Sequence, residues 1–514
     1  MVINLKKVLT VAINSKFAHS SLAVRYFREF SGCDIFECSI NDEIFSVFSK
    51  LMEKDFEIIC FSTYIWNIDY ALKLASMVKS TKNALIIFGG PEAGYNSKNI
   101  LAENLFVDGV IKGEGEYAIK ELCNGKAFAD IPNLVHRKGE NAEIPVDLAK
   151  LVFPYKKEDI KALENRILYF ESSRGCIFNC SYCLSSSQGR TRFFSMDYVK
   201  YGLDFFIENK VPLVKFVDRT FNENDERACE ILEYIISKNK STHFHFEIAP
   251  QLLSDKFISL LEKASDFVQV EAGIQTANKD TMSAISRVYD TEKVKERILK
   301  IPEKVHLHTD LIAGLPLETY ETFKKGFDYA YTMKPDMLQL GFLKLLHNTR
   351  LKENAEKYGI VTTAFPPYEV LETNTMAKEE IIKLKRCENA LDKIYNSKNF
   401  ENTLKLVEKP FETFEALGEK LWEREKQAPL SKNGLYELVY EFFGEDAKEE
   451  IVKDFMLNNP KAALPEKLYE PLDKATFREF CAKEEYRGKK IRVERVKNNC
   501  LILCENEIKV SQVH

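Results

Sequence analysis

Apolar and polar positions alternate with two periods along most of the chain. "VLTVAIN", "DIFECSI", "EIICFST", "ALIIFGG" and "VDGVIKGE" are short apolar runs with the length of strands. Between them, segments such as "SLAVRYFREF" and "IDYALKLASMVKS" place apolar residues at helical spacing. Five strand–helix units with short links predict a doubly wound, flavodoxin-like α/β sheet over residues 1–135. Ligands of such sheets bind outside the carboxyl ends of the strands. Here those ends read "NSKFAHSS", "STYIWN", "GGPEAG" and "GEGE".

Residues 136–162 break the pattern and read as a link of turns and short edge pieces. A second alternating array covers 163–362. "RILYFESS", "LVKFVD", "HFHFEIA", "VQVEAGIQ", "VHLHTDLIAGLP" and "DMLQLGFL" are six strand candidates separated by helical patterns. Six such units predict a partial (β/α)6 barrel of the TIM type, with chemistry at its carboxyl-terminal mouth. Residues 363–514 are mainly charged amphipathic helices, predicting a third domain. Its last stretch alternates and turns at Asn498-Asn499, which reads as a small hairpin or meander.

Composition adds limits. A chain of 514 residues is long enough for about three domains. With 73 Lys and Arg against 78 Asp and Glu, the net charge of −5 gives no ground for general nucleic-acid binding. The basic tail "GKKIRVERVKNN" could touch RNA, although a solvated strand face explains it as well. No apolar run reaches membrane-spanning length, and the start lacks a signal-peptide cleavage pattern, so a cytoplasmic protein without a membrane partner is expected. Twelve cysteines in such a chain read as reduced thiols or metal ligands.

Three of those cysteines stand together in "SSRGCIFNCSYCLSSS": Cys176, Cys180 and Cys183, spaced C-x3-C-x2-C just after the first strand of the second array. A closed zinc site needs a fourth ligand. His243 and His245 could serve, but they alternate with phenylalanines in a strand. An iron–sulfur cluster with three thiolates would keep one iron open to a ligand from outside the protein.

The triplet, with Arg174 and Gly175 before it and Tyr182 ahead of its third cysteine, resembles the radical S-adenosylmethionine (SAM) superfamily. The resemblance implies a 4Fe–4S cluster on Cys176, Cys180 and Cys183, whose open iron binds SAM and cleaves it to a 5′-deoxyadenosyl radical. It implies SAM contacts from Tyr182 and from later strand ends: Asp218, Glu247, Glu271 and Gln275, Asp310 and Gly314, and Gln339. Carboxylates and amides there suit ribose hydroxyls and an ammonium. The family's usual Gly-Gly-Glu after the second strand is absent.

A doubly wound sheet ahead of such a barrel resembles the cobalamin-binding subclass, in a bacterial branch with a carboxyl-terminal domain of unknown function. That resemblance implies a cobalamin site at Asn14, Ser15, His19, Ser62, Tyr64, Trp66, Gly89, Gly90, Pro91, Glu92, Gly113, Glu114, Gly115 and Glu116. The glycines let backbone approach a bulky ligand. The D-x-H-x-x-G motif of many cobalamin domains fails around His19, where Phe17 and Leu22 stand in for Asp and Gly. No histidine on cobalt is therefore expected; His19 reads as a polar or helix-start contact, and Tyr64 or Trp66 as cover for the corrin.

The function implied is methylation of an unactivated carbon by way of the adenosyl radical and methylcobalamin. A radical SAM cyclase or rearrangement enzyme, and a tRNA methylthiotransferase-like enzyme, stay open as alternatives. A non-catalytic cobalamin or redox sensor is a third class. The substrate could be a small molecule, a peptide or an RNA, and an electron donor such as flavodoxin or ferredoxin is implied.

Overall fold

The structure is a computed structural model that describes residues 6–187, 189–239 and 241–512. Residues 1–5, part of the start read as lacking an export signal, lie outside it. The chain divides into two compact units. One comprises Met1–Gly273, Lys279–Leu307 and Leu343–Leu371; the other comprises Ile274–Asn278, His308–Phe342 and Glu372–His514.

In the first unit, five parallel strands form the amino-terminal sheet: β1 (Val8–Asn14), β2 (Asp34–Ser39), β3 (Ile58–Ser62), β4 (Leu85–Gly89) and β5 (Gly109–Ile111). Their order, β2-β1-β3-β4-β5, is the predicted doubly wound arrangement. Two antiparallel edge strands, β6 (Leu134–His136) and β7 (Gly139–Glu140), extend it. Part of the segment read as a link is therefore sheet. Strand β1 is buried at six of its seven positions. Leu9, Val11 and Ile13 pack into one core, while Val8 packs into another with Ile58 and Ile87. Apolar residues on both faces are what helices on both sides of a parallel sheet require.

Four more parallel strands follow in the same unit: β8 (Leu168–Phe170), β11 (Leu213–Phe216), β12 (His243–Ile248) and β13 (Val268–Gln275, its last two residues in the second unit). The labels β9 (Ser173–Arg174) and β10 (Arg192–Phe193) belong to a short antiparallel pair after β8. Here the faces differ. Phe170, Phe216, Phe244 and Phe246 are buried on one side, with ring centroids of Phe170 and Phe216 5.3 Å apart. On the other side, Tyr169, Lys215, His245 and Gln269 lie in register across the strands. Helix Met196–Glu208 closes on the phenylalanine side. A Cβ at its Gly202 would stand 2.6 Å from the Phe170 ring, so glycine permits this approach.

The second unit holds β14 (His306–Ala313, from residue 308 onward) and β15 (Met337–Phe342), paired in parallel. All six strand candidates of the second array are thus strands, and helices alternate with them. The Asn396 amide donates to the Leu338 carbonyl and accepts from the Leu338 N–H, each at 3.0 Å. One side chain thereby pairs with β15 as a strand would. Helices Lys378–Ala390, Pro410–Glu425, Lys432–Phe443 and Lys448–Asn458 form the predicted helical region. The terminal meander has three strands, Ile491–Val496, Asn499–Cys504 and Glu507–Gln512. Its first turn is Lys497-Asn498, one residue earlier than expected, and Asn499 already belongs to the sheet. Among the described residues, no helix is long and apolar enough to cross a membrane.

Candidate cluster and cobalamin site

The cysteine loop starts where β8 ends. Cys180 is buried, and Cys176 and Cys183 are half-buried; all are free thiols. The loop is pinned at Ser181, between its second and third cysteines. Ser181 N–H donates to the Ile285 carbonyl at 2.9 Å, and Leu351 N–H donates to the Ser181 carbonyl at 2.8 Å. Cys176 Sγ accepts the Phe178 N–H at 3.4 Å and lies 3.4 Å from Thr220 Oγ1. Hydrogen bonds to sulfur suit a ligating thiolate. Without a cation, burial pushes the Cys176 thiol upward, so ligation needs a metal charge to offset it. Arg287 supplies part of that charge, with Nη1 3.7 Å from Cys180 Sγ and Nη2 bonded to the Gly273 carbonyl at 2.7 Å.

No three His, Cys, Asp or Glu side chains among the described residues close on one point as a single ion demands.

The SAM residues expected from sequence fall into two groups. In the first unit, half-buried Tyr182 lies beside the Cys180 and Cys183 thiols, and burial raises its phenol. Asp218 departs from expectation: it is buried, and its carboxylate accepts from Ser172 N–H at 2.8 Å and from the Ser172 and Ser173 hydroxyls at 2.6 Å each. It braces the lead-in to the cysteine loop, and three donors already occupy it. Glu247 and Glu271 are opposite one another on β12 and β13. Glu247 sits in a recess where burial, opposed by Arg219 and reinforced by Glu271 and Asp218, lifts it to about 7. Glu271 lies 3.3 Å from His245 Nε2.

In the second unit, Asp310 and Gln339 face each other in register, and Gly314, with φ of +80°, turns the chain after β14. Gln275 holds φ of +68°, an unusual state for a side-chain-bearing residue at a strand end. Sequence reasoning missed Glu318, which is buried beside these elements' loops and lifted to about 8 by burial. Its partner is the Thr276 hydroxyl at 2.5 Å.

The amino-terminal strand ends show how a ligand seat is built. Thr63 N–H and Oγ1 both donate to the Gly89 carbonyl at 2.7 Å. Gly90 has φ of +89°, and a Cβ there would lie 2.5 Å from the Thr63 carbonyl oxygen. Only glycine lets these two strand ends close. Next to them, Tyr64 and Trp66 stack with ring centroids 4.3 Å apart and planes within 7°. Trp66 remains 46% exposed, so the pair is an open aromatic platform rather than core. Pro91, at the first position, starts a short helix, Pro91–Tyr95.

Other expected cobalamin residues have protein partners. Glu92 is buried, accepts the Tyr368 hydroxyl at 2.5 Å, and is raised by burial. Asn14 donates to the His19 carbonyl at 3.1 Å. Of the two expected roles, polar or helix-start contact, His19 takes the polar one: its Nδ1 lies 2.6 Å from the Tyr169 hydroxyl on β8, and burial with Lys215 nearby lowers its pKa. Ser62 gives its carbonyl to Asn67 at 3.0 Å, while Ser15 is half-buried at the end of β1. After β5, Gly113 takes φ of +70°. Glu114 bonds Arg192 and accepts the Val146 N–H at 2.7 Å. Gly115 precedes Glu116, which bonds Arg174 at 2.7 Å and keeps one buried oxygen without a partner.

The three-thiol loop after β8 and the glycine-shaped sheet end with its aromatic platform lie in the same compact unit. The chain matches the radical SAM superfamily over residues 170–330 and the B12 binding domain over residues 9–123. Residues 356–510 match a protein family of unknown function, DUF4080. One chain thus carries, in order, a stretch similar to B12-binding domains, a stretch similar to the radical SAM superfamily and a stretch similar to DUF4080.

Among relatives, the chain is 24% identical over 341 residues to the cobalamin-dependent radical SAM methyltransferase TokK of Streptomyces tokunonensis, covering 60% of this chain and 50% of that one. It is 25% identical over 311 residues to 2-(S-pantetheinyl)-carbapenam-3-carboxylate methyltransferase of Streptantibioticus cattleyicolor, covering 53% and 44%. It therefore spans about half the length of these curated relatives. The fold resembles the radical SAM methyltransferase TsrM of Kitasatospora setae, solved with cobalamin and a 4Fe–4S cluster, with a TM-score of 0.58 and 16% identity over 70% of this chain and 76% of that one.

Proposed function

We propose that this protein is a cobalamin-dependent radical SAM enzyme that methylates an unactivated carbon. The observation that carries this reading is the pinned three-cysteine loop joined, in one compact unit, to the ligand end of a B12-binding sheet. When bound, the cluster supplies the electron that splits SAM, and cobalamin carries the methyl group. The protein's part is binding, orientation and exclusion of water. Cys176, Cys180 and Cys183 hold the cluster, Asp218 braces their loop, and Arg287 stands by Cys180 as a fixed positive charge. Tyr182, Glu247, Glu271, Gln275, Asp310, Gly314 and Gln339 form the set offered to SAM. The Thr63–Gly90 closure and the Tyr64–Trp66 platform would receive the corrin.

The enzyme works in the cytoplasm, where its twelve thiols stay reduced, and takes its electron from a flavodoxin- or ferredoxin-like carrier. Its substrate is a small molecule, a peptide or an RNA. The deciding experiment incubates reduced, reconstituted protein and cell extract with SAM bearing a deuterated methyl group. A product heavier by the labelled methyl, together with 5′-deoxyadenosine, supports the reading. 5′-Deoxyadenosine with an unlabelled, rearranged product would replace it with a cyclase or rearrangement enzyme.

A further inference from the structure

Arg174 stands two residues before Cys176, yet its side chain serves the amino-terminal domain as much as its own loop. Only 15% of that side chain is exposed. Its Nε and Nη2 clasp the Glu171 carboxylate, at 3.0 and 2.7 Å to Oε1. The same Nη2 lies 2.7 Å from Glu116 Oε1, and Nη1 lies 3.4 Å from Glu114 Oε1. The guanidinium also covers the Tyr26 ring, 5.4 Å from its centroid. On β10, Arg192 stands opposite Arg174 in register and bonds the same Glu114 oxygen, Oε1.

Two arginines thus meet three glutamates, of which Glu171 comes from the end of β8 and Glu114 and Glu116 from the loop after β5. Burying so many charges is a poor way to gain stability, because desolvation opposes most of the attraction. What a planar, multidentate guanidinium does well is fix geometry between two rigid pieces. The pieces here are the cluster loop and the strand-end loop of the B12-binding domain. Glu116 is well placed as the far anchor: it opens helix Glu116–Cys123 and is itself buried.

We propose that Arg174 is a positioning residue that sets the separation of cluster and corrin, with Glu116 as its anchor on the cobalamin side. This rests on the cofactor reading above. The distance matters because one substrate carbon would have to lie within reach of both the radical source at the cluster and the methyl donor at the corrin, and small misplacements there slow such steps strongly.

The test uses full-length protein reconstituted anaerobically with cluster and cob(II)alamin, comparing wild type with Arg174→Lys, Glu116→Gln and the double variant. The readouts are iron, cobalamin content and the magnetic coupling between cob(II)alamin and the reduced cluster by electron paramagnetic resonance. The expected result is a coupling weakened or broadened by at least about twofold in each single variant, with no further change in the double, since the pair acts as one unit. Glu116→Gln leaves the cysteine loop untouched, so it decides the matter even where Arg174→Lys loads cluster poorly. A coupling identical to wild type in fully loaded Glu116→Gln overturns the proposal. Wild-type protein that takes up no cluster or no corrin overturns the underlying cofactor reading instead.

Discussion

The two parallel sheets of the first unit use their faces differently. The amino-terminal sheet is apolar on both sides, with β1 buried along nearly its whole length. The β8–β13 sheet is apolar on one side only, and β13 alternates buried and half-buried residues from end to end. A sheet covered on both faces has no face left for chemistry, so its ligand chemistry is confined to strand ends. A sheet with one polar face can present residues along the strands as well, which is where Lys215, Glu247 and Glu271 sit. In the proposed function, the first arrangement offers a rim to a large preformed ligand and the second a polar face to a reacting one.

The strongest challenge to this division is removal of one cluster ligand. Cys180→Ala is expected to abolish the cluster's absorbance and SAM cleavage while leaving corrin affinity unchanged. Equal loss of corrin binding would mean that the two sheets do not act as separate seats.

Within the second sheet, the two faces should respond unequally. Phe216→Ala removes a fully buried ring and is expected to destabilise by about 3–5 kcal/mol. Its neighbour Lys215→Ala, on the polar face, is expected to stay within about 1 kcal/mol. Denaturant unfolding of both variants measures the difference, and similar losses would contradict the assignment of faces.

At the amino-terminal rim, Gly90→Val combines a positive φ with a clash against the Thr63 carbonyl. The strain is expected to cost about 1–3 kcal/mol. A weaker corrin affinity with normal iron content would accompany it, measured by cobalamin titration. Unchanged affinity would move the corrin seat elsewhere.

Glu247 gives the smallest effect. Its folded-state pKa of about 7 lies above the ordinary 4.5, so folding favours its neutral form. That stability is present below pH 4.5 and is lost as pH rises through 7. The side chain is 36% exposed, and solvent screening limits the contribution to about 1 kcal/mol, or about 2 °C in Tm. Glu247→Gln should flatten the fall in Tm between pH 5 and 7.5. An unchanged slope would show that Glu247 titrates as an ordinary surface carboxylate.

Much of this was legible in the sequence because it is local. Strand runs, the cysteine spacing and the glycine pairs depend on neighbours a few residues apart, and the expected strands appear where the patterns place them. The corrections are long-range. Tyr368 reaches Glu92 from 276 residues away, and Tyr169 reaches His19 from 150. No periodicity encodes such pairs. Asp218 was legible as a polar strand end but not as a brace, since Ser172 and Ser173, 46 and 45 residues earlier, decide that. In the same way, the "GEGE" loop announces a ligand approach, whereas the arginines that hold its carboxylates depend on how two domains dock.

The cysteine loop's capacity to hold a cluster with a coordination site for SAM is tested most directly by one spectrum. Anaerobically reconstituted protein, reduced by one electron, is examined by electron paramagnetic resonance before and after addition of SAM. A 4Fe–4S signal whose g-values shift on addition is the expected result. A colourless zinc protein, or a cluster signal indifferent to SAM, would contradict it.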